Sequence, residues 1–132
     1  LAAQLLAGST LFRSLPPGAR DRLAAACSTQ RLAPGERILE PGTASEGLFI
    51  VAAGHVEVWR DALCVARLGT GDAVGVVTAL GAHAGSARAI AVTEAEVYLF
   101  DLEALEPVLA LPAVRDAFEE TARLRRLVLG SA

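Results

Sequence analysis

Hydrophobic and polar positions change rhythm along this chain. From Leu1 to Ala7 the residues are apolar and helix-prone. Leu11, Phe12 and Leu15 follow, and Pro16-Pro17-Gly18 interrupts them. A proline in the first turn of a helix sacrifices no hydrogen bond, so Pro17 predicts a helix start. Beyond it Leu23, Ala26 and Cys27 recur at helical spacing. Residues 1–28 therefore predict two short helices joined by a proline turn.

After Ser28 the period shortens. Arg31-Leu32-Ala33 and Glu36-Arg37-Ile38-Leu39 flank Pro34-Gly35, and Pro41-Gly42 ends the second stretch. Leu48-Phe49-Ile50-Val51 is a continuous apolar run. Beyond Gly54 the pattern alternates, with Val56, Val58 and Arg60 on one side and Glu57 and Trp59 on the other. This predicts two antiparallel strands around a tight Ala53-Gly54 turn. Asp61-Ala62 makes another turn, Leu63 to Leu68 another strand, and Gly69, Gly71 and Asp72 a loop. Ala73 to Leu80 is apolar around Gly75, Gly81 to Gly85 is small and glycine-rich, and Ala87–Val92 and Ala95–Phe100 read as two more strands. Asp101 is placed to cap a helix opened by Leu102-Glu103. Pro112 opens the last helix, Ala113 to about Val128, with Val114, Ala117, Phe118, Thr121, Leu124 and Val128 on one face. Helices, then many short strands, then helices predict an α+β fold with an antiparallel barrel or sandwich at its centre.

The chain has 132 residues, which suits one domain over 1–132. Hydrophobic residues make up 53% and charged residues 20%, and this much apolar surface excludes a disordered chain. No stretch reaches the ~20 apolar residues of a spanning helix, so no membrane insertion is expected of this segment. A net charge of −3 argues against gripping nucleic acid, whose phosphates demand a basic excess. All 12 basic residues are arginine, which reads as composition bias, with anion binding the sharper alternative.

Cys27 and Cys64 read as two buried free thiols, and no signal-peptide pattern is visible, so a reducing, cytoplasmic setting is expected. The start at Leu1 suggests a piece of a longer protein. No Gly-x-Ser-x-Gly elbow or His-paired cysteine appears, so no enzyme is expected. His55 and His83, one in a hairpin and one in a loop, lack a third ligand at recognisable spacing. No metal is expected, and a cupin-like metalloenzyme is the outlying alternative.

Several short motifs agree in order and spacing with a known family. Leu11-Phe12-Arg13-Ser14-Leu15, Ala33-Pro34-Gly35-Glu36, Glu40-Pro41-Gly42, the run from Leu48 to Val58, and Leu68-Gly69-Thr70-Gly71-Asp72 together resemble the cyclic-nucleotide-binding domain family. The resemblance covers nearly the whole chain. It implies a jelly-roll-like β barrel over 30–100, N-terminal helices over 1–28, C-terminal helices over 101–130, and a phosphate-binding cassette over 71–88.

In the family that cassette usually reads Phe-Gly-Glu-Leu-Ala, then several residues, then Pro-Arg-Ser-Ala-Thr. Helix amides and the Arg fork hold the cyclic phosphate, and the Glu accepts from the ribose hydroxyl. The matching stretches are Val74-Gly75-Val76-Val77-Thr78 and Ala84-Gly85-Ser86-Ala87-Arg88. Gly75, Ser86 and Ala87 match. The Glu position is Val76 and the Arg position is Gly85. Losing both contacts removes of order 5 kcal/mol, or ~10³–10⁴-fold in affinity. The candidate vestigial site is Gly75, Val76, Val77, Gly85, Ser86, Ala87 and Arg88. Arg88 could replace the lost arginine only through a bulge, because positions 85 and 88 of a strand face opposite ways.

The expected function is a non-enzymatic regulatory module, part of a larger protein, with weak or no binding of cyclic AMP or cyclic GMP and no cofactor. The alternative is a small-molecule sensor that holds a cyclic nucleotide, or another ligand, in a non-standard way. The resemblance implies that the terminal helix, through Phe118, Leu124 and Val128, meets a host domain or a second copy. Arg123, Arg125 and Arg126 suit the dipole at its end.

Overall fold

A computed structural model describes residues 2–40, 42, 47–76 and 87–129, the last five of them by their helical backbone alone. Alternating and continuous apolar runs become the strands β1 (Ser28–Leu32), β2 (Arg37–Leu39), β3 (Gly47–Ala53), β4 (Val56–Arg60), β5 (Leu63–Leu68), β6 (Ala73–Val74), β7 (Ala87–Ala91) and β8 (Ala95–Asp101). They pair into two four-stranded sheets, β1-β8-β3-β6 and β2-β7-β4-β5. Every pairing is antiparallel. Among the described residues no strand of one sheet pairs with a strand of the other. The jelly-roll-like centre is therefore a sandwich of two open sheets and not a closed barrel.

The sheets meet through one apolar layer. Phe49 and Val51 of β3 and Val97 and Leu99 of β8 pack with Val56 and Val58 of β4 and Ala89 and Ala91 of β7. The opposite face of the first sheet carries Leu48, Ile50, Tyr98 and Phe100, which join a second cluster with the helices. β3 is apolar without alternation because both of its faces are covered. β4 alternates because only one of its faces is. Gly54 joins them at φ 84°, where an added Cβ would run into the carbonyl of Glu94. Only glycine fits that turn.

The helices are α1 (Ala2–Gly8), α2 (Pro17–Ala26), α3 (Leu102–Leu109) and α4 (Pro112–Leu129). Pro17 opens α2 as predicted. The Asp101 carboxylate accepts from the Ala104 amide at 2.8 Å and caps α3. Phe12, ahead of α2, ties the layers together. Its ring lies 6.2 Å from Phe100 of β8 and 5.4 Å, edge-on, from Phe118 of α4. Among the described residues no helix is long and apolar enough to cross a membrane.

The predicted stripe on α4 is only partly covered. Val114 and Phe118 are buried, Ala117 and Thr121 half-buried, and Leu124 is 48% exposed. Ala122 is also buried, off the predicted stripe. The side chains of Arg125, Arg126 and Val128 lie outside the described residues.

The cysteines differ from expectation. Cys64 is exposed, because β5 is an edge strand and Cys64 takes its outer face. Cys27 is half-buried past the end of α2, and its thiol donates to the Ala24 carbonyl at 3.1 Å. Burial pushes that thiol above its ordinary pKa. Of the predicted α2 stripe, only Leu23 is fully buried.

Candidate functional site

The approach to the cassette is pinned to β3 by backbone hydrogen bonds. Gly71 N donates to Val51 O at 2.8 Å and Val51 N donates to Asp72 O at 2.9 Å. Asp72 closes the turn, its carboxylate accepting from Gly69 N at 2.9 Å. β6 then runs beside β3, with Phe49 opposite Val74 and Ile50 opposite Ala73. The two residues of β6 divide between the cores: Val74 enters the layer between the sheets, and Ala73 the layer under the helices.

Gly75 turns the chain at φ 96°. Val76 follows and is 1% exposed, within the helix-side cluster that also holds Leu48, Ile50 and Phe100. Where the resemblance implies a ribose-binding carboxylate, a buried valine packs instead. A carboxylate in that layer would need a partner. Val77, Gly85 and Ser86 lie outside the described residues, as does His83.

The chain is described again at Ala87, the first residue of β7. Ala87, Ala89 and Ala91 face the layer between the sheets, and Arg88 faces away. Arg88 pairs across the sheet with Trp59, and its guanidinium carbon sits 5.7 Å from the ring centroid. Trp59 Nε1 in turn donates to Glu57 Oε1 at 3.2 Å, and Glu57 faces Arg67 at 3.5 Å. Arg88 thus belongs to a polar and aromatic row on the outer face of the second sheet. The structure separates it from Gly75, Val76 and Ala87, and no bulge in the β4–β7 pairing turns it inward.

A further arginine lies outside the predicted site residues. Arg60 ends β4 opposite Ala87 and opposite Leu63 of β5. Its position places it on the same face of β4 as Val56 and Val58. The signal lay in the sequence alternation, which puts Arg60 with the apolar side of its strand. His55 is exposed at the β3–β4 turn, where its amide donates to Thr93 Oγ1 at 3.1 Å and its ring lies against Gly69.

The profile of the family described as "Cyclic nucleotide-binding domain" matches residues 29–111. The human voltage-gated delayed rectifier potassium channel KCNH8 is 35% identical over 66 residues, 50% of this chain and 6% of the channel. The cyclic AMP receptor protein of Thermus thermophilus is 35% identical over 114 residues, 81% of this chain and 52% of that protein. Among solved structures, the regulatory subunit of a cAMP-independent protein kinase A from Trypanosoma brucei superposes with a TM-score of 0.81 and 29% identity, covering 91% of this chain and 45% of that one. The chain spans at most about half of these proteins, and only 6% of the channel.

Proposed function

Because the chain belongs to the cyclic nucleotide-binding domain family, we propose that it is a non-enzymatic regulatory module of a larger protein whose pocket does not hold cyclic AMP or cyclic GMP tightly. The observation that carries this reading is Val76. It occupies the cassette position of the ribose-binding carboxylate and is buried among apolar side chains of the helix layer. Gly85 supplies no side chain to the phosphate, and Arg88, the nearest replacement in sequence, is committed to Trp59 on the outer face. The Trypanosoma relative, named for independence from cyclic AMP, lends the reading further support.

In this reading the module acts through its helices. Phe118 is buried in the helix-side core, and Leu124, six residues further along α4, projects an apolar side chain into solvent. That end, continued by Val128, is where a host domain or a second copy packs. The two unpaired thiols suit a cytoplasmic setting.

Calorimetric titration with cyclic AMP and cyclic GMP tests the pocket. No saturable binding is expected below roughly 100 μM, given the missing contacts to sugar and phosphate. A low-micromolar dissociation constant overturns the reading. Sedimentation across concentration tests the helix: Leu124→Glu should shift any self-association toward monomer with the circular dichroism unchanged.

A further inference from the structure

The two sheets end in four outer strands, and β5 differs from the other three. β6 and β2 are two and three residues long. β1 exposes Ser28, Thr29 and Arg31. Short length and polar side chains keep a sheet edge from pairing with another chain. β5 has neither protection. It runs for six residues, Leu63 to Leu68, and Arg67 is its one charged side chain. Among the described residues it pairs with β4 alone, so its other side offers a row of backbone amides and carbonyls. Leu63, at its start, is 67% exposed, more than Leu102, Leu111 or Leu124.

What fits this edge follows from a bulge. β5 sets Leu63 opposite Arg60, Cys64 opposite Trp59, Ala66 opposite Val58, Arg67 opposite Glu57 and Leu68 opposite Val56. Val65 is the extra residue, with no counterpart on β4. Cys64 and Arg67 therefore share the outer face with Trp59 and Glu57. Val65, Ala66 and Leu68 pack on the layer between the sheets, and Leu63, opposite Arg60, is on that side too. Along β5 the faces run inner, outer, inner, inner, outer, inner, the same order in either direction. Without the bulge a strand of six residues would alternate, and its two ends would face opposite ways. With it, two copies of β5 lie antiparallel over their full length with every side chain on a matching face. That overlap sets Leu63 against Leu68 of the second copy, Cys64 against Arg67, and Val65 against Ala66. The two Arg67 side chains stay apart, so no cation opposes a cation.

We infer that β5 is a self-association edge, at which two copies of this chain pair antiparallel about a two-fold axis and join their second sheets into one. The backbone groups of the edge supply the hydrogen bonds, and the matched faces set the register. The inference depends neither on what the cassette holds nor on α4.

Six residues a side is well short of the ~20–30 of a standard interface, so the dimer is weak and is sought at millimolar concentration. Sedimentation uses the Leu124→Glu chain, in which contact through α4 is removed. This chain should still form dimer, and adding Leu63→Lys should weaken it about tenfold. Arg67→Cys tests the register. It puts a thiol opposite Cys64 of the second copy, and mild oxidation should give a covalent dimer linked from 64 to 67. Wild type, and Arg67→Cys combined with Cys64→Ser, should stay unlinked under the same conditions. All the substituted side chains are exposed, so the fold should persist. Amide shifts of wild type need no variant and should move with concentration at residues 63–68. A chain that stays monomeric at millimolar concentration, equal dimerisation with Leu63→Lys, links from 64 to 64 or 67 to 67 in place of 64 to 67, or shifts confined to α4 overturns the inference. None of these outcomes touches the reading of the cassette, which the cyclic nucleotide titration decides.

Discussion

The two sheets of this domain have the same number of strands and live in different surroundings. The central strands of the first, β3 and β8, are covered on both faces, by the second sheet on one side and by the helices on the other, while β1 at its edge exposes Ser28, Thr29 and Arg31. The second is covered on one face only, and its outer face carries Glu57, Trp59, Arg67 and Arg88. A doubly covered strand favours apolar side chains, so β3 and β8 serve as scaffold. A singly covered sheet has positions to spare for charge, and the two half-buried strand arginines among the described residues, Arg60 and Arg88, are both on the second sheet. The cassette bridges the two, leaving the first sheet at Val74 and entering the second at Ala87. Val76, buried in the helix-side layer, sits on the scaffold side of that bridge.

The widest gap between the sheets should appear on truncating large side chains. Phe100→Ala removes a ring buried between β8, Phe12 and the helices, and should cost about 3–5 kcal/mol. Ile90→Ala, half-buried on the outer face of the second sheet, should cost about 1 kcal/mol. Urea denaturation of both variants checks this, and equal losses would mean that the second sheet is covered after all.

Val76→Glu should cost about 3 kcal/mol at pH 7, because it places a carboxylate in the helix-side layer. Burial raises the pKa of the introduced carboxyl, so the loss should shrink as pH falls and the group is protonated. Thermal melts at pH 5 and pH 7 give the sign. A cost independent of pH would show that this position opens to water.

Arg88→Gln removes a cation from the face of Trp59 and should cost about 0.5–1 kcal/mol, with a change in Trp59 emission. A much larger loss would give the outer face of the second sheet a structural weight that its exposure denies.

The smallest effect belongs to the exposed end of α4. A hydrogen bond from Arg123 holds the Glu120 carboxyl below the ordinary range. The stabilisation is therefore present above the usual glutamate pKa and is lost as pH falls through the lowered one. Both side chains are in water, so added salt should erase the difference between wild type and Glu120→Gln. The pH dependence of the melting temperature at low and high salt is the measurement.

Much of the architecture was legible along the chain. The proline at α2, the hairpin glycine at position 54, the Asp101 cap and the alternation of β4 are local features, set by backbone sterics and by which side chains reach which amides. Of the cassette expected over 71–88, the described residues reach Val76 and resume at Ala87. Less visible was the environment of single residues. Cys64 sits in an apolar run, and only the place of β5 at a sheet edge exposes it. Arg60 falls on the apolar side of its strand, and only the pairing of β4 with β7 brings it beside the cassette.

By itself the sequence determined the elements and, within each strand, which residues share a face. Alternation of side chains follows from strand geometry alone. The tertiary structure decided what each face meets. β1 pairs with β8, with Ser28 opposite Leu99, across most of the chain. Such long-range pairings fix which sheet receives the helices and which is left open. No local pattern encodes that choice, because it depends on the total apolar surface that distant segments can bury together.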